Sequence, residues 1–280
     1  MFGRTIGSLN VYTRNSIRGA PRKIWQKSGN VASLSTGTPA PPTTPNPCGN
    51  NSFQCVSNHQ CIPQAQVCDF LSQCPDKSDE ASCGSCTFES GQCGWKDIST
   101  GRYNFHRFQG SSPGTGGPKG DHTTNSANGY YMLVEGASGL FYTRARMETV
   151  PFGATSPSCH VTFYYHMFGL GAGNMKLSVV NSNNPTDKTY VWSMTGNQGN
   201  GWHMGSADIG QLKAGYKLQF EALPYKTASP SDTGIKTSDM AIDDVIFNNC
   251  SPSQIFSNLS EYKMFLFPTL TPVFFNICNL

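Results

Sequence analysis

Short stretches in which apolar and polar residues alternate recur through the middle of this chain. Residues 161–167, 175–179 and 216–222 each place an apolar side chain at every second position. A period of two is typical of β-strands with one buried face. Helix-length stretches with a period of 3.6 do not stand out. The pattern therefore predicts that residues 86–250 form an antiparallel β-sandwich.

Composition supports a mainly β chain and excludes some functions. The 280 residues include 29 glycines and 18 prolines, which favour turns and strands over long helices. Only 13% of residues are charged and the net charge is +3, so a broad nucleic-acid-binding field is not expected. An apolar stretch at 264–278 is broken by Pro268 and Pro272, which argues against a membrane span.

The number of cysteines indicates the cellular compartment in which the protein folds. The chain has eleven cysteines, and eight of them lie between Cys48 and Cys93. Because thiols stay reduced in the cytosol, this density predicts an extracellular location. The six histidines are dispersed, without an H-E-x-x-H pair, and a G-x-S-x-G elbow is absent, so we do not expect an enzyme.

Residues 48–83 hold six cysteines in a segment too short to bury a stabilising core. Disulfides or a metal must therefore offset the chain entropy. Gaps of five to eight residues do not suit zinc, and the EF-hand pattern is absent. Fifteen disulfide pairings remain open from the sequence. Asp69, Asp76, Asp79 and Glu80 fall within twelve residues, which indicates a cation site.

Four short motifs follow one another in this segment: F-x-C from Phe53, C-I-P from Cys61, C-D from Cys68 and D-x-S-D-E from Asp76. Their order resembles that of the LDL-receptor class A module. The resemblance implies one bound Ca²⁺ in the C-terminal half of the module. It also implies three disulfides: Cys48–Cys61, Cys55–Cys74 and Cys68–Cys83.

The same resemblance implies a set of calcium ligands. Side-chain ligands would be Asp69, Asp79 and Glu80, with backbone carbonyls from Gln66 and Leu71. Calcium accepts such mixtures of carboxylate and carbonyl oxygens.

Two departures from the family pattern bear on this site. The family usually has Asp where this chain has Gln73, whose amide oxygen can coordinate without a negative charge, so we expect weaker calcium binding. The family also has an aromatic residue at the position of Gln66, and its loss weakens capture of a partner's lysine. A purely structural module is the competing interpretation.

Six motifs occur in order along residues 86–250. They are C-T-F-E from Cys86, C-G-W from Cys93, G-Y-Y-M-L-V-E from Gly129, F-Y-Y-H-M-F-G from Phe163, G-N-Q-G-N-G-W from Gly196 and A-I-D-D-V from Ala241. Together they resemble a MAM domain.

This resemblance implies a jelly-roll-like β-sandwich that serves in extracellular adhesion and association. The implied disulfides are Cys86–Cys93 and Cys159–Cys250. Some members of the family bind a cation, for which Glu89, Asp97 and Asp244 are the candidates here. The alternative is that these acids accept hydrogen bonds from turns and exposed amides.

The two ends of the chain have a different character. Residues 1–30 repeat short motifs of the larger domain and are predicted to be a partial upstream MAM-like segment. They hold all six basic residues of 1–47, which contains no acidic residue, and residues 31–47 are a Pro/Thr-rich linker. Residues 251–280, with the odd Cys278, match neither domain. A secretory signal is not visible, so we expect a piece of a longer mosaic protein.

The sequence also predicts glycosylation sites and a function. Asn50 and Asn258 are candidate N-glycan acceptors, and Asn249 is disfavoured beside a bridged cysteine. The combination of modules predicts a non-catalytic, calcium-dependent extracellular binding or adhesion unit. Its partner would be a cell-surface or extracellular protein, or a second copy through the MAM domain. The alternatives are an accessory stalk of a mosaic serine protease, as in enteropeptidase, or a glycosylated structural spacer.

Overall fold

The computed structural model describes residues 9–13, 22–27, 47–113, 116–136, 143–225 and 238–252, the first two ranges by their backbone. These residues form fourteen β-strands and one turn of 3-10 helix, Gln64–Gln66. The strands are β1 Leu9–Thr13, β2 Arg22–Lys27, β3 Ser52–Gln54, β4 Cys61–Pro63, β5 Lys96–Asp97, β6 His106–Gln109, β7 Tyr130–Val134, β8 Ala145–Glu148, β9 His160–Met167, β10 Asn174–Asn181, β11 Asn184–Thr195, β12 His203–Asp208, β13 Tyr216–Leu223 and β14 Met240–Asn248.

Two five-stranded antiparallel sheets make up the larger domain. One, which we call the first sheet, has the order β11-β10-β13-β8-β5, and the second sheet has the order β12-β9-β14-β7-β6. Neighbours that are distant in sequence, such as β14 beside both β7 and β9, require connections that cross between the sheets. The prediction of a mainly β chain with an antiparallel sandwich is confirmed.

The core lies between the two sheets and is rich in aromatic rings. Phe163 of β9 contacts Phe220 of β13 with ring centroids 4.9 Å apart and Trp192 of β11 at 5.0 Å. Trp95 closes the other end of this cluster, 5.4 Å from Phe220. Because alternate residues of each strand point to opposite faces, the apolar half of each alternating stretch is buried here.

The class A module, residues 48–83, has little regular structure. β3 and β4 form a short antiparallel hairpin, followed by the 3-10 turn. Its own buried cluster consists of Cys55, Ile62 and Cys74. A core of this size offers little hydrophobic stabilisation, so covalent links are needed.

Five disulfides are present. In the class A module they are Cys48–Cys61, Cys55–Cys74 and Cys68–Cys83, and in the larger domain they are Cys86–Cys93 and Cys159–Cys250.

The N-terminal segment, residues 1–47, forms a separate compact unit. Within it, β1 and β2 pair as an antiparallel hairpin with a bulge between Val11 and Tyr12. Its origin as part of an upstream MAM-like domain stays a prediction. Nearly all of the linker, the tail beyond residue 252, Asn258 and Cys278 lie outside the described residues.

Candidate functional site

The acidic loop of the class A module, residues 69–80, centres on a buried carboxylate. Asp79 is 1% exposed, although aspartate is almost never fully buried without a partner. Its Oδ2 accepts hydrogen bonds from the backbone N–H groups of Gln73 (2.7 Å) and Cys74 (3.3 Å). Its Oδ1 is buried and has no hydrogen-bond partner. Leaving such an oxygen unsatisfied is costly.

Gln73 supplies a second unsatisfied oxygen in the same loop. Its Nε2 donates to both carboxylate oxygens of Asp69, at 3.3 and 3.1 Å. Its Oε1 is buried without a partner. Asp69 also accepts from the backbone N–H of Leu71 at 2.9 Å. The loop therefore contains two orphaned oxygens close to two carboxylates.

Glu80 adds a third carboxylate to the loop. Its two oxygens accept from the backbone N–H groups of Asp69 (2.9 Å) and Phe70 (3.2 Å). Burial raises the pKa of Glu80 to about 7, and repulsion from the carboxylates of Asp69 and Asp79 acts in the same direction. Within the described residues, these three acids form no ion pair with a Lys, Arg or His. Their negative charge is thus uncompensated by the protein.

The remaining acid of the cluster has a structural role. Asp76 accepts hydrogen bonds from the backbone N–H of Ser57 at 2.8 Å and from the hydroxyl of Ser78 at 2.8 Å. It ties the loop to the N-terminal half of the module. Across the described ranges, no three His, Cys, Asp or Glu side chains meet in an arrangement that could hold a metal ion. The ligand assignment therefore stays a prediction.

The acids of the second candidate cation site accept hydrogen bonds from neighbouring groups, and their role as metal ligands stays a prediction. Asp97 accepts from the backbone N–H of Phe105 (2.9 Å) and the Ser99 hydroxyl (2.7 Å). Glu89 accepts from the backbone N–H of Tyr130, at 2.9 Å. In the described part of the chain these acids join no metal-holding group, and they bond turns and backbone amides instead.

Asp244, the third candidate, belongs to a cluster that sequence reasoning missed. The His122 ring stacks on Tyr164 at 3.4 Å, and its Nδ1 lies 2.5 Å from Asp244 Oδ2. The neighbouring Asp243 is fully buried and accepts from the backbone N–H of His122 at 2.7 Å. Two adjacent carboxylates within the otherwise apolar A-I-D-D-V motif were the available signal.

Asp243 should make stability depend on pH. Burial raises its pKa to about 7 from an ordinary 3.8, so folding favours its protonated form. Its contribution is fully present below about pH 4 and is lost as the pH rises through 7. Asp243→Asn should remove this loss. Between pH 5 and 7 the unfolding free energy of the variant should therefore fall less steeply with pH than that of the unsubstituted protein, by up to about 1.4 kcal/mol per pH unit.

Urea unfolding at several pH values measures this slope. Asp208→Asn is the matched control, because Asp208 is exposed on β12, and its slope should equal that of the unsubstituted protein. Equal slopes for all three proteins would contradict the assignment to Asp243.

His166, which the sequence indicates is packed in an aromatic strand, lies beneath an open cleft of about 340 Å³. It is 1% exposed, and burial lowers its pKa to about 4. Its Nδ1 has no hydrogen-bond partner. Trp202 packs edge-on at 5.8 Å and donates its indole N–H to the carbonyl of Gly120. A neutral, buried ring of this kind acts as a packing residue.

The class A module is docked on the sandwich through the turn that carries Asp69. Phe70 inserts between Phe152 and Phe247, with ring centroids 5.7 and 5.4 Å away. Beside it, the backbone N–H of Gly153 donates to the carbonyl of Cys68 at 2.8 Å. A Cβ on Gly153 would lie 2.7 Å from the Cα of Asp69, so only glycine fits this approach.

The short connection between the modules is also fixed. Gly84 donates its N–H to the carbonyl of Cys93 and accepts from the indole N–H of Trp95, at 2.9 and 2.8 Å. The Ser85 hydroxyl accepts from the backbone N–H of Phe247. We call this set of contacts, together with Phe70 and Gly153, the module joint. It holds the acidic loop against the larger domain.

Comparison with known proteins identifies both modules. Residues 86–251 match the family described as "MAM domain, meprin/A5/mu", and residues 46–83 match "Low-density lipoprotein receptor domain class A". The chain belongs to the MAM domain family. The resemblance of both segments is thereby confirmed. Class A modules generally bind calcium, and both module types generally mediate protein interactions.

Three relatives illustrate the family. Thyroid hormone-induced protein B of Xenopus laevis is 34% identical over 168 residues, 59% of this chain and 23% of that protein. Human MAM domain-containing protein 2 is 31% identical over 59% of this chain and 22% of its own length. Human MAM domain-containing glycosylphosphatidylinositol anchor protein 1 is 30% identical over 61% of this chain and 18% of its own. The MAM chain thus matches about a fifth of the length of these relatives.

Location follows from the chemistry of the modules. Five disulfides in two small domains indicate an extracellular or cell-surface protein. Among the described residues, no helix has the length and hydrophobicity that a bilayer crossing requires.

Proposed function

We propose that this MAM chain is a non-catalytic extracellular binding module of a larger mosaic protein, and that calcium in its class A module controls binding. The observation that carries the proposal is the pair of buried, unpartnered oxygens, Asp79 Oδ1 and Gln73 Oε1. A hard cation with oxygen ligands suits them.

The oxygen donors of the acidic loop are of the chemical kind that calcium takes. The side chains of Asp69, Asp79 and Glu80 with the Gln73 amide oxygen would hold the ion, together with the backbone carbonyls of Gln66 and Leu71. Bound calcium would supply two positive charges and neutralise the crowded carboxylates. Since Gln73 carries no charge, we expect weaker binding than a site with four acids would give.

The module's location supports a role in binding partners. The acidic loop is held against the sandwich by the module joint, which fixes its position relative to the two sheets. A protein partner recognised by the ordered loop, or a second copy recognised by the sandwich, would use a preformed surface. Preformed surfaces bind with less loss of conformational entropy.

A calcium titration of the oxidised chain by calorimetry tests the proposal. We expect one ion per chain, and Asp79→Ala should abolish this binding because it removes the buried carboxylate. The sandwich should unfold at nearly the same denaturant concentration, because the substitution lies outside its core.

Asp208→Asn is the control that removes one acid on an exposed strand, and it should leave calcium affinity unchanged. Calcium binding that survives Asp79→Ala would overturn the ligand assignment. Absence of binding by the unsubstituted chain would make the class A module a disulfide-linked spacer and transfer the binding role to the sandwich.

A further inference from the structure

The outer face of the first sheet carries a cation on every strand. These are Lys96 on β5, Arg146 on β8, Lys217 on β13, Lys176 on β10 and Lys188 on β11. The five strands span roughly 19 Å from edge to edge at about 4.8 Å per strand. Arg144 joins the group just before β8. Two acids, Glu148 and Glu221, face the same side, so the face has an excess of positive charge.

Strand register places these side chains in rows. One row runs Arg146, Glu221, Lys176 across three neighbouring strands. The adjacent row begins with Lys96 opposite Glu148 at the β5 edge. Residues directly opposite in such ladders have Cβ atoms about 5 Å apart. The cations therefore form a two-dimensional array on a rigid sheet.

Glu221 organises the centre of this array. It is 2% exposed and accepts from Lys188 and from Arg146 Nε, 3.3 Å away, with Arg144 Nε at 3.9 Å. Burial would raise the pKa of Glu221, but Lys188 and Arg146 hold it below its usual value. One buried carboxylate thus orients three cations, leaving more positive than negative charge facing solvent.

The lysines that do not contact Glu221 differ in whether another side chain holds them. Lys96 is exposed, and Lys176 Nζ lies over the Tyr190 ring at 4.6 Å. Lys217 is held by Glu148 at 2.6 Å. Among the described residues, no carboxylate oxygen lies within 4.0 Å of the amino group of Lys96 or Lys176. They are the charges most available to a ligand.

We infer that this face is a docking surface for a linear sulfated polysaccharide of the extracellular matrix or cell surface. Charge complementarity is the basis, because a chain of permanently ionised sulfates matches the excess of positive charge on this face. The extracellular setting of the disulfides makes nucleic acid an unsuitable occupant.

The face suits a polysaccharide better than a protein or a membrane. Its one large exposed apolar side chain is Tyr190, and Val180 between two lysines is 2% exposed. Protein interfaces have an apolar centre, and peripheral membrane binding needs apolar side chains that insert. A flat, charged face without such residues favours a hydrophilic polyanion.

Heparin, as the probe, tests this inference on the full chain in EDTA, so that the result is independent of the calcium site. Lys96→Gln with Lys176→Gln should weaken heparin binding about tenfold near 0.15 M NaCl and make its salt dependence shallower. The control, Lys77→Gln with Lys119→Gln, has the same net charge but changes exposed lysines outside the first sheet, and should change affinity less than about twofold. All variants keep the six basic residues of 1–47, so any contribution of these residues to heparin affinity is the same in every variant.

Equal losses in both double variants would show that only net charge matters and would overturn the docking surface. Unchanged affinity of the Lys96/Lys176 variant would do the same. Desulfated heparin should bind at least about tenfold more weakly than heparin. If polyglutamate or phosphatidylserine vesicles bind as tightly as heparin and with the same sensitivity to the two lysines, the partner is an acidic protein or an anionic membrane, and the assignment to a sulfated polysaccharide is wrong.

Discussion

Replacing both Cys159 and Cys250 by serine is expected to lower the free energy of unfolding of the MAM sandwich by about 4–5 kcal/mol. The two cysteines are 91 positions apart and connect the start of β9 to the end of β14. Without the bond, the unfolded chain recovers the entropy of a long open loop, whereas the folded state loses few contacts. Both side chains are at most 3% exposed, and serine fits their volume.

Denaturant unfolding of the full chain measures this loss. The matched control is Cys86→Ser with Cys93→Ser, which opens a link of sequence separation 7 in the same domain. By the same loop-entropy relation it should cost about 2–3 kcal/mol. A loss for the short link equal to or larger than that for the long one would contradict the chain-entropy explanation.

Phe163→Ala is expected to destabilise the sandwich by about 3–5 kcal/mol. Phe163 is fully buried where both sheets meet, against Phe220 and Trp192, and its ring covers Gly205 so closely that a Cβ there would lie 2.6 Å from Cζ. Truncation removes apolar contacts from both sheets and leaves a cavity that rigid strands cannot fill.

Two controls separate cavity formation from a general response of the strands. Phe163→Leu should cost less, since leucine keeps most of the buried volume. Ile246→Ala, at a side chain 47% exposed on β14, should change stability by no more than about 0.5 kcal/mol. Thermal and urea unfolding report all three, and a loss for Ile246→Ala similar to that for Phe163→Ala would contradict the assignment of the core.

Local patterns were sufficient to predict β9, β10 and β13, because the alternation of side chains in a strand can be recognised from consecutive residues. The alternation along 175–179 and 216–222 places Leu177 and Phe220 on the core face of the first sheet, and Lys176 and Glu221 on its opposite face. Strand order was not predictable in this way. That β13 lies between β10 and β8 depends on pairing partners far apart in the chain.

The candidate site shows the same division. The acids of the loop are neighbours in sequence, so their clustering could be read from spacing. The insertion of Phe70 beside Phe152 and Phe247 could not, because it joins residues more than 80 positions apart. The hydrogen bond from the backbone N–H of His122 to Asp243 could not be predicted either, because the two residues lie 121 positions apart.

The module joint determines how mechanical load passes through this pair of modules. Modules strung together by loose linkers swivel independently, and tension reaches each one only through the chain. Here a pull on the class A module also reaches the sandwich through the Phe70 ring and the Cys68–Gly153 hydrogen bond. Tension on either module is therefore shared by the joint, and the acidic loop keeps a fixed angle to the sheets behind it.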